Sequence, residues 1–401
     1  MRGSALLEAV ERDRERLFEL LDELVAIPTH VTQPFGLARV GERLVTELEG
    51  TGFSRQDLGA ALQSQRPPAW AELVLSPDVG YDGLHEPMLL TRPGELEGEL
   101  LILGDLDSAL PHEPSQCRLT IRDGRAIGPA VADMKGGLTL LVGALRALVT
   151  VGERVPTITV LLSCDEQAGS IRSAPAIRAR AARASWVLCV ECAREGGRVM
   201  RSRAHIGIGL LAATGLEAHA GTARDQGMNA ISLLARALVA LDGPGVTTPD
   251  GTVTPTILHA GRRRSVVPGS AEAVLDVRAR DATAWEALAA RIGDAVRIDD
   301  RVSVELFSHR PGLPSTDRTS WILGLVEEAG RDVGLQIESV DSMAAGSSAF
   351  VDSATVPVLD GMGPAGGALM TPDEYIEVES LPTRAALLAR TIQLLGAAPR
   401  D

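Results

Sequence analysis

The side chains best suited to chemistry in this chain are carboxylates that come directly after short apolar runs. The runs are 99–104, 157–163 and 186–190, and the carboxylates that follow them are Asp105, Asp165, Glu166 and Glu191. Short apolar runs of this kind predict buried strands, and functional groups gather beyond the carboxyl ends of parallel strands. We therefore expect one acidic site that is able to bind a hard cation or to transfer a proton.

The elements that must position these acids alternate along the chain. Apolar periodicity predicts helices at 5–26, 36–51, 135–149, 319–334 and 380–396, with further strands near 336–340 and 356–359. Strands that alternate with helices imply an α/β fold, with a mixed, mostly parallel sheet and helices on both of its faces. The 401 residues are enough for such a domain and for a second one.

A second domain is predicted between residues 203 and 309, where the pattern changes. Strands at 206–214, 252–259, 271–279 and 302–308 are interrupted by helices at 228–242 and 283–296. This order is a βαββαβ unit, which would have its own core. The discontinuous first domain would then comprise 1–202 and 310–401.

Composition excludes several classes of partner. The net charge of −14 argues against nucleic acid and against an anionic membrane. No run of 18 apolar residues predicts a membrane span, and no apolar stretch follows a basic start as in a signal peptide. Only four cysteines occur in so long a chain, which suits a reducing compartment. We therefore expect a cytoplasmic protein with buried thiols.

Several short motifs, which follow in order along nearly the whole chain, resemble those of one family. They are Gly104-Asp105-Leu106-Asp107, Ala132-Asp133-Met134-Lys135-Gly136-Gly137, Asp165-Glu166-Gln167-Ala168-Gly169, Glu191, Gly215-Leu216-Glu217-Ala218-His219-Ala220-Gly221 and Met370-Thr371-Pro372-Asp373-Glu374. The family is that of the dinuclear zinc aminoacylases, acetylornithine deacetylases, succinyl-diaminopimelate desuccinylases and glutamate carboxypeptidases. The resemblance implies a two-domain plan in which the inserted domain serves for dimerisation and as a lid, so a homodimer is expected.

Three zinc ligands of the resembled family are replaced in this chain. The histidine of its Gly-His-x-Asp motif is Asp105, the second glutamate of its Asp-Glu-Glu motif is Gln167, and its last histidine is Met370. The bridging aspartate is retained as Asp133, and the next carboxylate ligand is retained as Glu191.

These replacements predict the loss of the zinc pair. One metal would keep only Asp133 with Gln167 and Met370, and an amide and a thioether are poor partners for zinc. We expect these last two side chains to contact the substrate instead. The other metal would have Asp105, Asp133 and Glu191, whose oxygens suit Mn²⁺ or Mg²⁺ better than Zn²⁺. The expected cofactor is therefore one such cation or none.

The residues that handle protons in the resembled family are retained. Glu166 matches its general base, and His219 matches the histidine that enters the partner subunit's cleft and stabilises the oxyanion. Asp107 matches the aspartate that orients the metal-binding histidine. Because that histidine is missing here, Asp107 could hold Glu166, a substrate amine or water.

Three further residues are expected to bind the substrate. Ser265 precedes Val-Val-Pro at a position where the resembled family has asparagine. Arg278 and Arg310 match strand-end arginines, and a guanidinium group binds a carboxylate through two parallel hydrogen bonds. The predicted substrate is therefore a small, amino-acid-derived molecule that carries a carboxylate.

Three functions remain open on the sequence alone. The first is an amidase-like enzyme that has lost its zinc pair and uses Glu166 as general acid or base in condensation, cyclisation or hydrolysis. The second is an amidohydrolase for N-acyl amino acids or dipeptides, working with a single Mn²⁺ or Mg²⁺ at the three carboxylates. The third is a binding module without catalytic activity.

Overall fold

The computed structural model of the protein describes residues 2–58, 67–75 and 79–398. The chain forms two compact units. The first comprises Met1–Ser202, Leu313–Ser342 and Gly346–Asp401, and the second comprises Arg203–Gly312 and Met343–Ala345.

Helices and strands alternate along the described residues. The α-helices are α1 (Arg2–Arg12), α2 (Arg14–Val25), α3 (Pro34–Glu49), α4 (Ala71–Val74), α5 (Gly136–Val151), α6 (Ser173–Ala181), α7 (Ala230–Leu241), α8 (Ala282–Val296), α9 (Asp317–Val333) and α10 (Ser380–Ala397). The β-strands are β1 (Ser54–Gln56), β2 (Met88–Arg92), β3 (Leu96–Asp105), β4 (Thr120–Arg122), β5 (Arg125–Ile127), β6 (Pro156–Ser163), β7 (Trp186–Cys189), β8 (Val199–Arg203), β9 (His205–Thr214), β10 (Ala218–His219), β11 (Gly251–Ala260), β12 (Val266–Val267), β13 (Ser270–Ala279), β14 (Val302–Arg310), β15 (Ser339–Ser342), β16 (Val358–Leu359), β17 (Gly366–Gly367) and β18 (Tyr375–Glu377).

The main sheet of the first unit is mixed and mostly parallel, as the sequence predicts. Its strand order is β1-β2-β6-β3-β7-β16. Strand β3 pairs in parallel with β6 and β7, and β7 pairs in parallel with β16. The strands β1 and β2 run antiparallel at one edge. The apolar residues of β6 and β7 are buried almost without interruption, which is expected for strands that helices cover on both faces.

Helix α5 lies in the core of this unit. With the turn before it, the segment Val131–Val151 is long and apolar enough to cross a membrane by length and composition. However, 78% of its most apolar 18-residue window is buried inside the protein. A helix that is apolar on all sides is expected in a core of this kind, so packing accounts for its composition.

The helix predicted over 5–26 is in fact two helices. They meet at Asp13, whose backbone leaves the helical region, with φ −95° and ψ 3°. The Asp13 carboxylate lies 2.9 Å from Arg146 of α5 and forms an ion pair with it. The break therefore coincides with a polar contact to the core helix that apolar periodicity does not indicate.

The four cysteines all lie in the described part of the chain. They are Cys117, Cys164, Cys189 and Cys192, and each is buried and outside any disulfide. The thiols therefore belong to the packed interior, as expected.

The second unit is an antiparallel sheet covered by two helices. Its strand order is β11-β13-β9-β14. Apart from the two-residue strands β10 and β12, the order along the chain is β9-α7-β11-β13-α8-β14, which is the βαββαβ order expected from the sequence. Leu211, Leu275 and Leu288 belong to its core. Asn229 and Asp281 cap the two helices by accepting a backbone N–H at each N-terminus.

Candidate active site

The predicted acidic residues lie at the carboxyl ends of three neighbouring strands. Asp105 is the last residue of β3, and Glu166 and Glu191 come shortly after the ends of β6 and β7. Because β3 lies between β6 and β7 in the sheet, the parallel arrangement brings these segments to one edge. All three side chains are buried.

Asp105 is held by two serine hydroxyls. Ser163 Oγ donates to its Oδ1, and Ser347 Oγ donates to the same oxygen at 2.7 Å. The other carboxylate oxygen, Oδ2, is buried and has no hydrogen-bond partner. Burial, followed by the negative charge of Glu166, raises the pKa of Asp105 to about 8. The two serines lie 58 and 242 residues from Asp105 along the chain, and no motif indicates this pairing.

Asp107 fixes the backbone that carries Glu166. Its Oδ1 accepts the N–H of Glu166 at 2.9 Å, and its Oδ2 accepts the N–H of Gln167 at 2.7 Å. Asp107 is buried. Burial, followed by the charges of Glu166 and Asp105, raises the pKa of Asp107 well above its usual value. Among the roles expected for Asp107, the contact with Glu166 is the one observed, and it is made through the backbone.

Gln167 donates to the aspartate that matches the bridging zinc ligand. Its Nε2 lies 3.3 Å from Oδ1 and 3.2 Å from Oδ2 of Asp133. The peptide bond between Asp133 and Met134 is cis. A side-chain amide group supplies N–H donors where the glutamate of the resembled family would supply only acceptors. The amide of Gln167, which was expected to contact the substrate, therefore donates hydrogen bonds to the carboxylate of Asp133.

Glu374 is a site residue to which the sequence motifs alone assign no role. Its Oε1 accepts the N–H groups of Ala132 and Asp133 at 2.9 Å and 3.0 Å. Its Oε2 accepts the N–H of Met370 at 3.1 Å. Glu374 thus joins the segment of Asp133 to that of Met370, whose side chain is 49% exposed. The signal was present in the sequence, because Glu374 ends the motif that begins at Met370.

Asp165, which was expected to belong to the acidic site, also has a structural role. Its Oδ2 accepts the backbone N–H of Arg172 at 2.6 Å, and its Oδ1 accepts the hydroxyl of Ser173. Ser173 is the first residue of α6. Both oxygens of Asp165 therefore stabilise the start of a helix. After burial and the charges of Glu166 and Asp105, the charge of Asp165 also raises the pKa of Asp107, so Asp165 lies near the acidic group, as expected.

The three carboxylates predicted to bind a cation are not arranged as a set of metal ligands. In the ranges 2–58, 67–75 and 79–398, no three His, Cys, Asp or Glu side chains are grouped so that they could hold a metal ion. The physical reason lies in their neighbours: Asp105 accepts hydrogen bonds from serines, and Asp133 accepts them from Gln167. Glu191, the third member, is buried.

In the second unit, His219 and Ser265 lie close together. The strands β10 and β12 pair in antiparallel fashion at His219, and Ala220 donates its N–H to the carbonyl of Ser265 at 2.8 Å. His219 is exposed, and its Nδ1 accepts the N–H groups of Gly221 and Thr222, both at 3.1 Å. A neutral imidazole whose Nδ1 accepts carries its proton on Nε2. His219 therefore presents an N–H donor.

The two arginines predicted to bind a carboxylate flank one residue of β9. Arg278 and Arg310 are both register partners of Ile206, so they lie on the same face of the sheet. Arg278 is already paired, because its Nε and Nη2 donate to Asp276 at 2.7 Å and 3.1 Å. The hydrogen bond to Asp276 raises the pKa of Arg278. With this charge neutralised, Arg278 is a weaker anchor for a carboxylate than expected.

One known protein family matches the part of the chain that contains all of these residues. Residues 101–394 match the model of peptidase family M20/M25/M40. The matched range includes both the strand-end acids of the first unit and the residues of the second unit. The chain therefore belongs to peptidase family M20/M25/M40, and the resemblance stated from its motifs is confirmed.

Relatives with assigned names span most of the chain. Carboxypeptidase G2 of Pseudomonas sp. (strain RS-16) is 26% identical over 413 residues, which cover 99% of this chain and 93% of the relative. Succinyl-diaminopimelate desuccinylase of Methylococcus capsulatus is 26% identical over 329 residues, which cover 76% of this chain and 85% of that one.

Solved structures have the same fold at low sequence identity. The dipeptidase Dug1p of Saccharomyces cerevisiae has a TM-score of 0.77 at 13% identity, and the match covers 99% of both chains. The Bacillus subtilis YXEP protein, described as a dinuclear metal binding peptidase, has a TM-score of 0.65 at 13% identity, with 97% and 100% covered. These likenesses confirm the mixed α/β fold.

Proposed function

We propose that this chain is an amidase-like enzyme that acts on the acyl group of a small, amino-acid-derived substrate. Glu166 serves as its general acid or base, and no pair of zinc ions takes part. The observation that carries the proposal is the hydrogen bonding around Glu166. Its backbone is fixed by Asp107, whereas the neighbouring carboxylates that match zinc ligands accept hydrogen bonds from neutral side chains. Glu166, the group that transfers protons, is retained, whereas Asp105 and Asp133, which match zinc ligands, form hydrogen bonds with other side chains.

The side chains present are a poor fit to two zinc ions. Gln167 directs its N–H donor at both oxygens of Asp133, and an amide nitrogen at this position cannot serve as a metal ligand. The thioether of Met370 is a weak ligand for zinc. Asp105, which replaces an imidazole, accepts two hydroxyls on one oxygen. No step of the proposed reaction is therefore assigned to a metal pair.

The chain's own residues supply the functions that an acyl reaction needs. Glu166 takes a proton from the attacking nucleophile and returns it to the leaving group. His219 matches the oxyanion donor of the family, which by the resemblance acts in the cleft of the partner subunit, and a donor of this kind contributes about 3–4 kcal/mol to transition-state stability. Arg310 and Arg278 of the second unit are the candidates for binding a substrate carboxylate, and the charge of Arg278 is already shared with Asp276.

The relatives' names support a reaction at an acyl group, because they denote a carboxypeptidase and a desuccinylase. Attack by water gives hydrolysis, and attack by an amine gives condensation or cyclisation. A second candidate is hydrolysis with one Mn²⁺ or Mg²⁺ at Asp105, Asp133 and Glu191, and it is favoured by the likeness to a dinuclear metal binding peptidase. A homodimer located in the cytoplasm is part of the same proposal, and the buried thiols are compatible with it.

Replacement of Glu166 tests the proposal. The substrates are panels of N-acyl amino acids and dipeptides, and formation of free amine is measured for the wild type, Glu166→Gln and Glu328→Gln. Glu328 is an exposed glutamate of α9 and serves as the matched control. Loss of a general acid or base lowers kcat by about 10²–10⁴-fold, so Glu166→Gln should be almost inactive and Glu328→Gln fully active. Turnover by Glu166→Gln at the wild-type rate would exclude the proposed role.

Chelation separates the two candidate functions. The purified enzyme is incubated with EDTA, its metal content is measured, and activity is assayed before and after addition of Mn²⁺, Mg²⁺ or Zn²⁺. The proposal without metal expects unchanged activity after chelation. Activity that disappears with EDTA and returns with Mn²⁺ or Mg²⁺ would establish the second candidate instead.

A further inference from the structure

The acidic site contains one carboxylate oxygen that the protein leaves without a partner. Asp105 is 2% exposed. Its Oδ1 accepts the hydroxyls of Ser163 and Ser347, whereas its buried Oδ2 accepts no hydrogen bond. Buried polar atoms almost always have a partner in folded proteins, and an exception calls for an explanation, such as a ligand.

The surroundings of this oxygen are negative. The charges that act on Asp105 are those of Glu166 and Asp133. Asp107, two residues further along the chain, is in turn influenced by the charges of Asp105 and Glu166. Carboxylates in such proximity repel one another unless a positive charge lies between them. Because burial and the charge of Glu166 raise the pKa of Asp105 to about 8, Oδ2 is free of a proton and fully charged only above that pH. A group that fits at the charged oxygen is a cation, a hydrogen-bond donor, or both.

We propose that Asp105 Oδ2 binds the primary ammonium group of the substrate. The inference rests on the proposed function and names the part of the substrate that faces the acids, which is the unblocked amine of an amino acid or short peptide. An ammonium group carries three N–H donors and one positive charge. One donor satisfies the free oxygen, and the charge reduces the repulsion between Asp105 and its neighbours Glu166 and Asp133.

A divalent cation fits the same oxygen less well. Mg²⁺, Mn²⁺ and Ca²⁺ need several oxygen ligands that converge on one point, and the described residues contain no such group of acids. The donors already present also point their hydrogens at the carboxylates, as Gln167 does toward Asp133. Positive hydrogens beside a divalent cation repel it, whereas an ammonium group needs only one free acceptor and a negative environment.

Thermal unfolding with simple cations tests this assignment. The probes are propylammonium, tetramethylammonium and Mn²⁺, each as the chloride at equal ionic strength and at pH 8.5, above the raised pKa of Asp105. Propylammonium has three N–H donors, and tetramethylammonium has the same charge but none. Near-saturation with propylammonium should raise the Tm of the wild type by about 2 °C, and tetramethylammonium and Mn²⁺ should leave it unchanged.

Two variants locate the effect. Asp105→Asn keeps the size of the side chain and an acceptor for the two serines, but it removes the charge and puts an NH₂ group in place of an oxygen. Asp105→Asn should abolish the Tm rise with propylammonium, and the exposed control Glu328→Gln should retain it. Equal shifts with propylammonium and tetramethylammonium, a shift with Mn²⁺ alone, no shift in the wild type, or a shift retained in Asp105→Asn would each overturn the assignment.

The outcome is independent of turnover. Propylammonium contains no amide bond, so its binding does not require Glu166 to transfer a proton. A specific Tm rise together with an unimpaired Glu166→Gln enzyme would reject the proposed reaction and keep the ammonium site. Loss of activity in Glu166→Gln without a specific Tm rise would support the proposed reaction and reject the ammonium site.

Discussion

Gln167 and Asp133 form a contact in which one nitrogen serves both oxygens of a carboxylate, at 3.2 Å and 3.3 Å. In the resembled zinc enzymes the corresponding pair would be two acids held together by a metal. An amide beside an aspartate needs no cation, because one partner donates and the other accepts. This contact links the segment after β6 to the segment before α5.

The first prediction is that Gln167→Glu destabilises the protein. Two carboxylates at this separation repel by about 4 kcal/mol at an effective dielectric constant near 20. We expect the Tm at pH 8 to fall by about 5 °C. Part of this loss should be recovered near pH 5, because a protonated glutamate can donate to Asp133 as Gln167 does. Thermal unfolding at both pH values measures the effect.

A matched variant controls for the added charge. Gln226 is an exposed glutamine of the second unit, and Gln226→Glu should leave the Tm unchanged. Added Mn²⁺ or Zn²⁺ should stabilise Gln167→Glu more than the wild type, because the change creates a second acidic ligand beside Asp133. Equal Tm values for Gln167→Glu and Gln226→Glu would contradict the role assigned to the amide.

The second prediction concerns Glu374, which accepts three backbone N–H groups from two segments. In Glu374→Gln, one acceptor oxygen becomes an NH₂ group that faces an N–H. The loss of acceptors for buried donors costs about 1–3 kcal/mol, which denaturant unfolding should reveal as a lower free energy of unfolding. Glu377→Gln, at an exposed position of β18, should have the stability of the wild type. Equal stability of the two variants would argue against Glu374 as the link between the segments.

The third prediction uses Lys135, which is the only lysine of the chain. Its Nζ is buried and donates to the carbonyl of Ile27 at 2.7 Å. Burial lowers the pKa of Lys135 from 10.5 to about 8. Between these two values the unfolded chain holds a proton that the folded protein lacks, so the free energy of unfolding increases as the pH rises through this range.

Lys135→Met removes this titration. The free energy of unfolding of the wild type relative to Lys135→Met should increase by about 3 kcal/mol from pH 8 to pH 10.5. Urea unfolding of both proteins at several pH values measures the difference, from which other titrating groups cancel. Curves that remain parallel over this range would show that the Lys135 amine keeps its ordinary pKa when folded.

Much of the fold could be predicted because the local sequence alone marks several of its strands. Ile102, Leu161 and Leu188 lie in uninterrupted apolar runs, and such runs between helices predict buried parallel strands. The predicted bounds of helices and strands differ from the structure at positions that contact residues far away in the sequence. The helix break at Asp13 coincides with an ion pair to Arg146. The strand predicted near 336–340 is β15, Ser339–Ser342, and Ile337 before it is buried in the hydrophobic core.

The candidate site was predictable in its residue types and less so in its contacts. The strand-end position of Asp165 predicted that it joins the acidic group, but it did not indicate whether the carboxylate faces a substrate or the protein. Both of its oxygens stabilise the start of α6. Spacing cannot distinguish these two uses of a carboxylate, since both place it after a strand. The hydroxyls that bind Asp105 come from segments far away in the sequence. Asp276 and Arg278 are two residues apart on one strand, so alternation places them on the same face, but it does not show that they form an ion pair.

The two serines that bind Asp105 bear on which side chain suits position 105. A histidine reintroduced at position 105 would meet the hydroxyls of Ser163 and Ser347, which would donate to the very nitrogen lone pair that a metal needs. A metal at such a histidine would therefore have to displace two hydroxyl donors before it could bind. The serine pair thus favours a hydrogen-bond acceptor at position 105 over a metal ligand.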